Sequence, residues 1–292
     1  MRCGVVYPQT ELNGDTGAVK AFAQAAEDLG YDHFIMYDHV LGAEHADRAP
    51  KLGGPYTESD PFHEPFIAFA WLAGLTKRIE FTSGVIVLPQ RQTALVAKQV
   101  ADIDLFSGGR MRLGVGIGWN WVEFDALEVG PAFRRRGKRE EAQIELMRKL
   151  WTEKIVNFED KDHKIVRAGL CPMPTRSIPI WLGGFSEPAF DRAARIADGF
   201  MFSGRSQDEG VQIKAKMELK LREYGRENEP FGFEQIQQFG RGPEAWAQDI
   251  ASWRDAGGSH ISVVTMNAEL KGIDAHIDAI RKWRETYQDV VG

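Results

Sequence analysis

Asp38 and His39 stand side by side at the end of a strand-like run over residues 33–37. Histidine titrates near neutrality and can pass a proton or donate a hydrogen bond, and an adjacent carboxylate can bias its charge or tautomer. The same two letters also fit a strand end where Asp caps the next loop beside a packed His. Metal chemistry is disfavoured: metal-binding barrel hydrolases generally place His-x-His where this chain has Tyr7-Pro8-Gln9, and no Cys or His cluster has ligand spacing.

Glycines form the second group of interest. The segment 114–120 reads G-x-G-x-G and runs into aromatics, so it falls short of a dinucleotide fingerprint, which needs a helix with small residues there. Gly116 and Gly118 nevertheless let a backbone approach a phosphate or a ring closely, or serve only as turn and packing glycines. Gly183-Gly184 before Ser186 leads into a helix start, where free N–H groups and the positive dipole end suit a phosphate. An ordinary βα turn has the same letters. The run Arg134-Arg135-Arg136 with Lys138 and Arg139 is a solvated helix start, a holder for a cofactor tail, or a partner for Glu140 and Glu141. Gln9, Thr82 and Ser83 lie in or beside strand ends, facing a ligand or satisfying backbone.

These residues need elements to position them. Apolar runs at 3–7, 33–37, 80–88, 111–117, 178–182, 199–202, 231–239 and 260–265 predict eight strands. Helical spacing follows them: residues 19–29 behind Asp15 or Thr16 as cap, 64–75, 93–106, about 135–151, 186–197, 243–256 and about 273–287. The sixth strand end reads Phe202-Ser203-Gly204-Arg205. Eight strand–helix alternations predict an α/β fold, a closed (β/α)8 TIM barrel, because closure removes both sheet edges. Residues 152–177 break the repeat and predict an insertion after the fourth βα unit, with 1–292 forming one domain.

The chain has 292 residues, a formal net charge of −6, 43% hydrophobic and 27% charged residues, which excludes a disordered or collagen-like polymer. With 42 acidic against 36 basic residues it lacks the positive excess for non-specific binding to nucleic acid or an anionic membrane. No apolar stretch approaches the roughly 20 residues of a membrane span. Cys3 and Cys171 make no disulfide framework, and the start shows no basic segment followed by an apolar run, so a cytoplasmic location is expected.

Together the strand ends carry a family pattern. Tyr37-Asp38-His39-Val40, Gly-Val-Ile-Val-Leu-Pro at 84–89, Ala97-Lys98-Gln99, Ser107-Gly108-Gly109-Arg110, Gly-Val-Gly-Ile-Gly-Trp at 114–119, Pro-Ile-Trp-Leu-Gly-Gly at 179–184 and Ala197-Asp198-Gly199-Phe200 resemble the bacterial luciferase-like flavin superfamily. Within it the chain resembles the branch that uses the deazaflavin coenzyme F420. The resemblance covers residues 1 to about 205 by motif and the remainder by barrel pattern.

It implies a ring held over the strand ends, its phosphate tail toward the backbones of Gly116, Ile117, Gly118 and Trp119 and of Gly183, Gly184, Phe185 and Ser186. His39 is then beside the reactive edge and Asp38 contacts cofactor or orients His39. Tyr7, Ser83, Val85 and Ile86 complete the implied cofactor wall, with a non-proline cis peptide at about Val85-Ile86. Sugar-phosphate dehydrogenases of the family carry an acid where Trp119 stands, and their basic clamp has no counterpart here. The aromatic mouth (Trp119, Trp121, Phe124 and the loop 41–62) instead points to a less polar or planar substrate. The resemblance thus implies an F420-dependent oxidoreductase, a homodimer, passing a hydride between deazaflavin C5 and a small organic substrate. Its alternatives are an FMN-dependent monooxygenase fed by a partner reductase and a non-catalytic flavin-binding barrel.

Overall fold

The computed structural model describes residues 1–203 and 207–292; Gly204, Arg205 and Ser206, and with them the end of the sixth strand as read from sequence, lie outside the described residues. Eight parallel strand positions close a barrel. They are β1 (Arg2–Val6), β2 (His33–Met36), β3 (Glu80–Ser83) with its continuation β4 (Ile86–Val87), β5 (Met111–Gly116), β8 (Ile180–Gly183), β9 (Gly199–Ser203), β10 (Gly232–Gln238) and β11 (His260–Val264). The order is β3-β2-β1-β11-β10-β9-β8-β5, and β5 closes on β3 through Phe81 opposite Met111. The expected TIM barrel is therefore what forms.

Helices α1 (Thr16–Asp28), α2 (Pro65–Ala73), α3 (Thr93–Ser107), α5 (Arg136–Thr152), α6 (Glu187–Ile196), α7 (Gln207–Glu223), α8 (Pro243–Asp255) and α9 (Gly272–Val291) follow the strands, with a short α4 (Trp121–Ala126) after β5. Local chemistry sets their ends. The Asp15 carboxylate accepts the Gly17 and Ala18 amides at the start of α1, and Gly108, at φ +72°, ends α3 in the left-handed conformation that a side chain would resist. The apolar stripes of these helices pack on the outer face of the barrel, where Phe22, Phe34, Phe69, Phe81 and Trp283 are fully buried.

The insertion is an antiparallel hairpin, β6 (Val156–Glu159) and β7 (Lys164–Ala168), between α5 and β8. Its turn is anchored: Asp162 pairs with Arg135 and Arg139, and the His163 ring lies 2.6 Å from the Thr93 hydroxyl. Two of the five members of the basic run are thus accounted for. Glu140 and Glu141, one of the partners weighed for that run, pair instead with Arg192 of α6.

Inside the barrel the layers change character along the axis. The end at the strand starts holds a buried ionic network, in which His33 and Ser262 meet Glu234, and Arg112 bridges Glu234 and Glu80 at 2.8 Å each. Burial opposes the Glu234 charge, but His33 and Arg112 outweigh it and hold the carboxyl well below the usual range. Above this lies an apolar layer of Val6, Ile35, Ile236 and Val264 with Met266. These layers close the barrel interior and leave the strand C-terminal ends as the place for a cavity.

The third strand departs from the single run 80–88 read from sequence. It breaks at Gly84, where the Gly84–Val85 peptide is cis, one residue before the expected position, and residues 88–90 form a 3-10 turn.

Candidate active site

A cavity of about 520 Å³ opens at the strand C-terminal ends. Its wall includes Asp38, His39, Val85, Gly116, Ile117, Gly118, Trp119, Gly183, Gly184 and Phe185, ten of the residues singled out in the sequence. Four others are placed elsewhere. Tyr7 is buried on the outer side against Phe22 and Phe34, and the Ser83 hydroxyl is spent on the Gly114 carbonyl and amide, tying β3 to β5. Ile86 is fully buried in the core, and Ser186 is an exposed helix cap of α6 that makes no side-chain capping bond.

His39 is held from several sides. Its ring is edge-on to Tyr56, Phe62 and Trp119, with centroids 5.4, 5.1 and 5.6 Å away, and only 9% of the residue is exposed. Its Nδ1 lies 3.1 Å from Oε2 of Glu123, a residue on α4 that is 1% exposed. Oε1 of Glu123 accepts the Val40 and Leu41 amides at 2.7 and 3.1 Å, and Oε2 also accepts Gln90 Nε2 at 3.1 Å. Burial works against the Glu123 charge, yet these donors, His39 foremost, hold its carboxyl below the usual range.

Asp38 does different work. Its Oδ1 accepts Arg91 Nη2 at 2.7 Å and its Oδ2 accepts the Val87 amide at 2.9 Å, while Arg91 also reaches Glu64 at 2.8 Å. The Asp38 carboxylate therefore ties β2 to the bulged strand and the start of α2. It borders the cavity with both oxygens already engaged.

The glycines shape the floor around one side chain. A Cβ at Gly116 would lie 2.6 Å from Val85 Cγ2, and one at Gly183 would lie 2.9 Å from Val85 Cγ1. Val85 thus fills the space that the missing side chains leave, and the floor beneath the opening is apolar: Val85, Ile236, Val264, Met201 and Met266. On the mouth side, a Cβ at Gly54 would lie 2.3 Å from the Trp119 ring, so the backbone of the loop 40–62 is pressed against that indole. Tyr56, from the same loop, has its hydroxyl pushed up to about 12 by burial and by Asp60. Arg136 is the member of the basic run nearest the cavity wall by contact, donating Nε to the Gly118 carbonyl at 3.2 Å.

Residues 1–239 match the family model of the luciferase-like monooxygenases. The chain belongs to that family. An uncharacterized protein of Mycobacterium tuberculosis is 36% identical to this luciferase-like chain over 213 residues, 72% of this chain and 73% of the relative. An F420-dependent glucose-6-phosphate dehydrogenase of Amycolatopsis mediterranei is 31% identical over 186 residues, 62% of this chain and 51% of that enzyme. An F420-dependent secondary alcohol dehydrogenase, solved in complex with an F420-acetone adduct, superposes with a TM-score of 0.79 at 16% identity, covering 98% of both chains. The monooxygenase RslO1 from Streptomyces bottropensis gives 0.76 at 17% identity over the whole of both chains. These two structures share the fold of the luciferase-like barrel, and the expectation of a luciferase-like enzyme is borne out.

Sequence reasoning misses Glu123, as it does the floor residues Met201, Ile236, Val264 and Met266. The signal is Asn120 followed three residues later by Glu123, a capping-box spacing, and Asn120 Oδ1 does accept the Glu123 amide at 3.2 Å. In this luciferase-like barrel the Glu side chain turns away from that cap and toward His39.

Proposed function

We propose that this protein is an F420-dependent oxidoreductase acting on a small, uncharged organic substrate. The observation that carries the proposal is His39, set in the wall of an apolar-floored cavity and fixed through Nδ1 by a buried carboxylate. A bound deazaflavin supplies a hydride acceptor or donor at C5. The 31% identity to an F420-dependent dehydrogenase supports that choice over FMN.

The wall fits a flat, partly apolar ring with an anionic tail. Glycines 116, 118, 183 and 184 bring backbone into the cavity wall while their missing side chains give room to Val85, Val87 and Ala189, and the Phe185 and Ser186 amides at the start of the ten-residue α6 donate to no acceptor among the described residues. The chain's own part is then threefold. Val85 and the methionines form the apolar seat, Trp119, Tyr56 and Phe62 exclude water, and His39 holds or accepts the proton that balances hydride transfer. The apolar and aromatic lining, with Val85, Met201, Met266, Tyr56 and Trp119, supports a neutral, partly apolar substrate.

We also propose a homodimer, since α2 and α3, which pack together, expose Ile67, Trp71, Leu95 and Phe106. Light scattering coupled to size exclusion gives twice the chain mass if this holds. No described helix is long and apolar enough to cross a membrane.

The deciding experiment is a titration of the purified protein with F420 and separately with FMN, followed by fluorescence quenching. Tight F420 binding with weak FMN binding is expected. Preference for FMN would overturn the assignment in favour of an oxygen-using monooxygenase, and quenching without turnover of any neutral alcohol or carbonyl would leave a binding barrel.

A further inference from the structure

The bonds around Glu123 settle which imidazole nitrogen of His39 carries the proton. Glu123 receives three donors besides His39: the Val40 amide, the Leu41 amide and the Gln90 side chain. Its carboxyl is held below the usual range, so it is an ionised group that can only accept. An unprotonated Nδ1 would set a lone pair against a buried carboxylate oxygen 3.1 Å away, a contact with no hydrogen in it. Nδ1 must therefore be the donor.

We propose that Glu123 is a positioning residue that keeps a proton on His39 Nδ1, so that whenever the ring carries a single proton Nε2 faces the cavity as a hydrogen-bond acceptor. Nε2 has no partner among the described residues, and His39 lines the cavity. The group that meets Nε2 in the neutral protein is then a donor, an O–H or N–H on an otherwise uncharged ligand. A bare carbonyl meets it well only when the ring is protonated. The surrounding side chains reinforce this arrangement, since the aromatic rings fix the plane of the imidazole and α4, capped by Asn120, delivers Glu123 to it. This inference deepens the proposed function and rests on His39 being its proton-handling group.

The substitution Glu123→Gln inverts the logic. The Val40 and Leu41 amides still require an acceptor, so the amide oxygen stays with them and the new NH2 faces Nδ1 as a donor. His39 must then switch to the Nε2–H form. Long-range 1H–15N correlation spectra of the apo-protein labelled at its 7 histidines read the tautomer directly, with His39→Asn assigning the signal. A protonated Nδ1 and bare Nε2 in the wild-type protein, reversed in Glu123→Gln, are expected. A wild-type Nε2–H tautomer overturns the proposal, as does a well-folded Glu123→Gln protein whose tautomer is unchanged. Should Glu123→Gln not fold, the wild-type spectrum alone decides. Once F420 is bound, the variant is expected to keep cofactor affinity within about twofold while kcat falls about tenfold or more. Absence of F420 binding would sink the proposed function and leave the tautomer result standing.

Discussion

Arg112 Nη1 donates to Glu234 Oε2 at 2.8 Å in the closed end of the barrel, and the same guanidinium lies 4.2 Å from the centroid of the Trp181 ring. Both residues are buried, so the pair lives without water. Removing the cation leaves Glu234 with His33 and Ser262, and Glu80 with the half-exposed Arg2, with no cation between the two carboxylates. Arg112→Ala is expected to cost about 3–5 kcal/mol of folding stability, read from urea unfolding, because an unpaired buried charge costs more than the pair contributes. Arg112→Lys should recover only part of it, since one ammonium cannot reach two carboxylates and stack on an indole. A loss below about 1 kcal/mol for the alanine variant would mean that the network is solvated.

Acid should weaken this protein first through its buried histidines. His276 is fully buried, 2.8 Å from the Thr265 hydroxyl, and burial lowers its imidazole from 6.5 to about 4. Between those values the unfolded chain holds a proton there that the folded protein does not, so stability falls as pH drops through that window. His260 acts in the same direction, lowered to about 3 by burial and by Arg112. Glu80 adds a second stage: it ionises at about 2 instead of 4.5 because Arg112 and Arg2 outweigh its burial, and its contribution is lost below pH 4.5. Glu140, pushed up to about 8 by burial, works the other way, because there the folded protein holds a proton that the unfolded chain does not. It offsets one of the two histidines between pH 6.5 and 4.5, so the measured unfolding free energy should still decline from pH 6.5 to 4. The variant His276→Gln should flatten that decline by on the order of 2–3 kcal/mol. An identical slope in the variant would exclude His276 as its source.

Replacing His39 separates chemistry from binding. His39→Asn keeps a donor toward Glu123 but offers no lone pair at the Nε2 position, so turnover with F420 should fall about 100-fold or more. Cofactor binding should stay within a few-fold, because the apolar seat is made by other residues. Equal losses in kcat and in cofactor affinity would assign His39 to binding.

Much of this architecture is legible in the sequence, and the illegible parts have physical causes. Eight apolar runs separated by helical spacing favour a barrel over an open sheet, and the cap read at Asp15 is one that the structure keeps. The break in the third strand is hidden because residues 85–88 are all apolar, and a run of apolar letters does not reveal which side chain turns inward. The hairpin in the insertion is hidden for the opposite reason: residues 164–168 are mostly exposed, so burial leaves no alternation to read. Ser83 and Gly114 look like ligand-facing letters, yet a hydroxyl beside a glycine can equally bond a neighbouring strand, and only register decides. Asp38 and His39 read as a pair in sequence, but space gives each its own partner, Arg91 and Glu123, from segments 53 and 84 residues away.

The floor of the cavity offers the sharpest test of how sequence builds the site. Gly116 and Gly183 sit on neighbouring strands, and both leave room for one residue, Val85. Gly116→Ala places a methyl group 2.6 Å from Val85 Cγ2, closer than carbon atoms pack, and β5 cannot retreat because it is bonded to β3, β4 and β8. The valine must shift into the cavity. We expect a cost of about 1–3 kcal/mol in stability and a clear loss of F420 affinity. Val85→Ala alone should cost less in affinity, since it enlarges the seat without blocking it. The double variant, Gly116→Ala with Val85→Ala, should then be more stable and bind better than Gly116→Ala alone, because the clash has gone. A double-mutant cycle in unfolding and in cofactor titration measures that coupling, expected at about 1 kcal/mol or more in the compensating direction. Additive effects would show that the glycine is required by the backbone or the ligand and not by Val85.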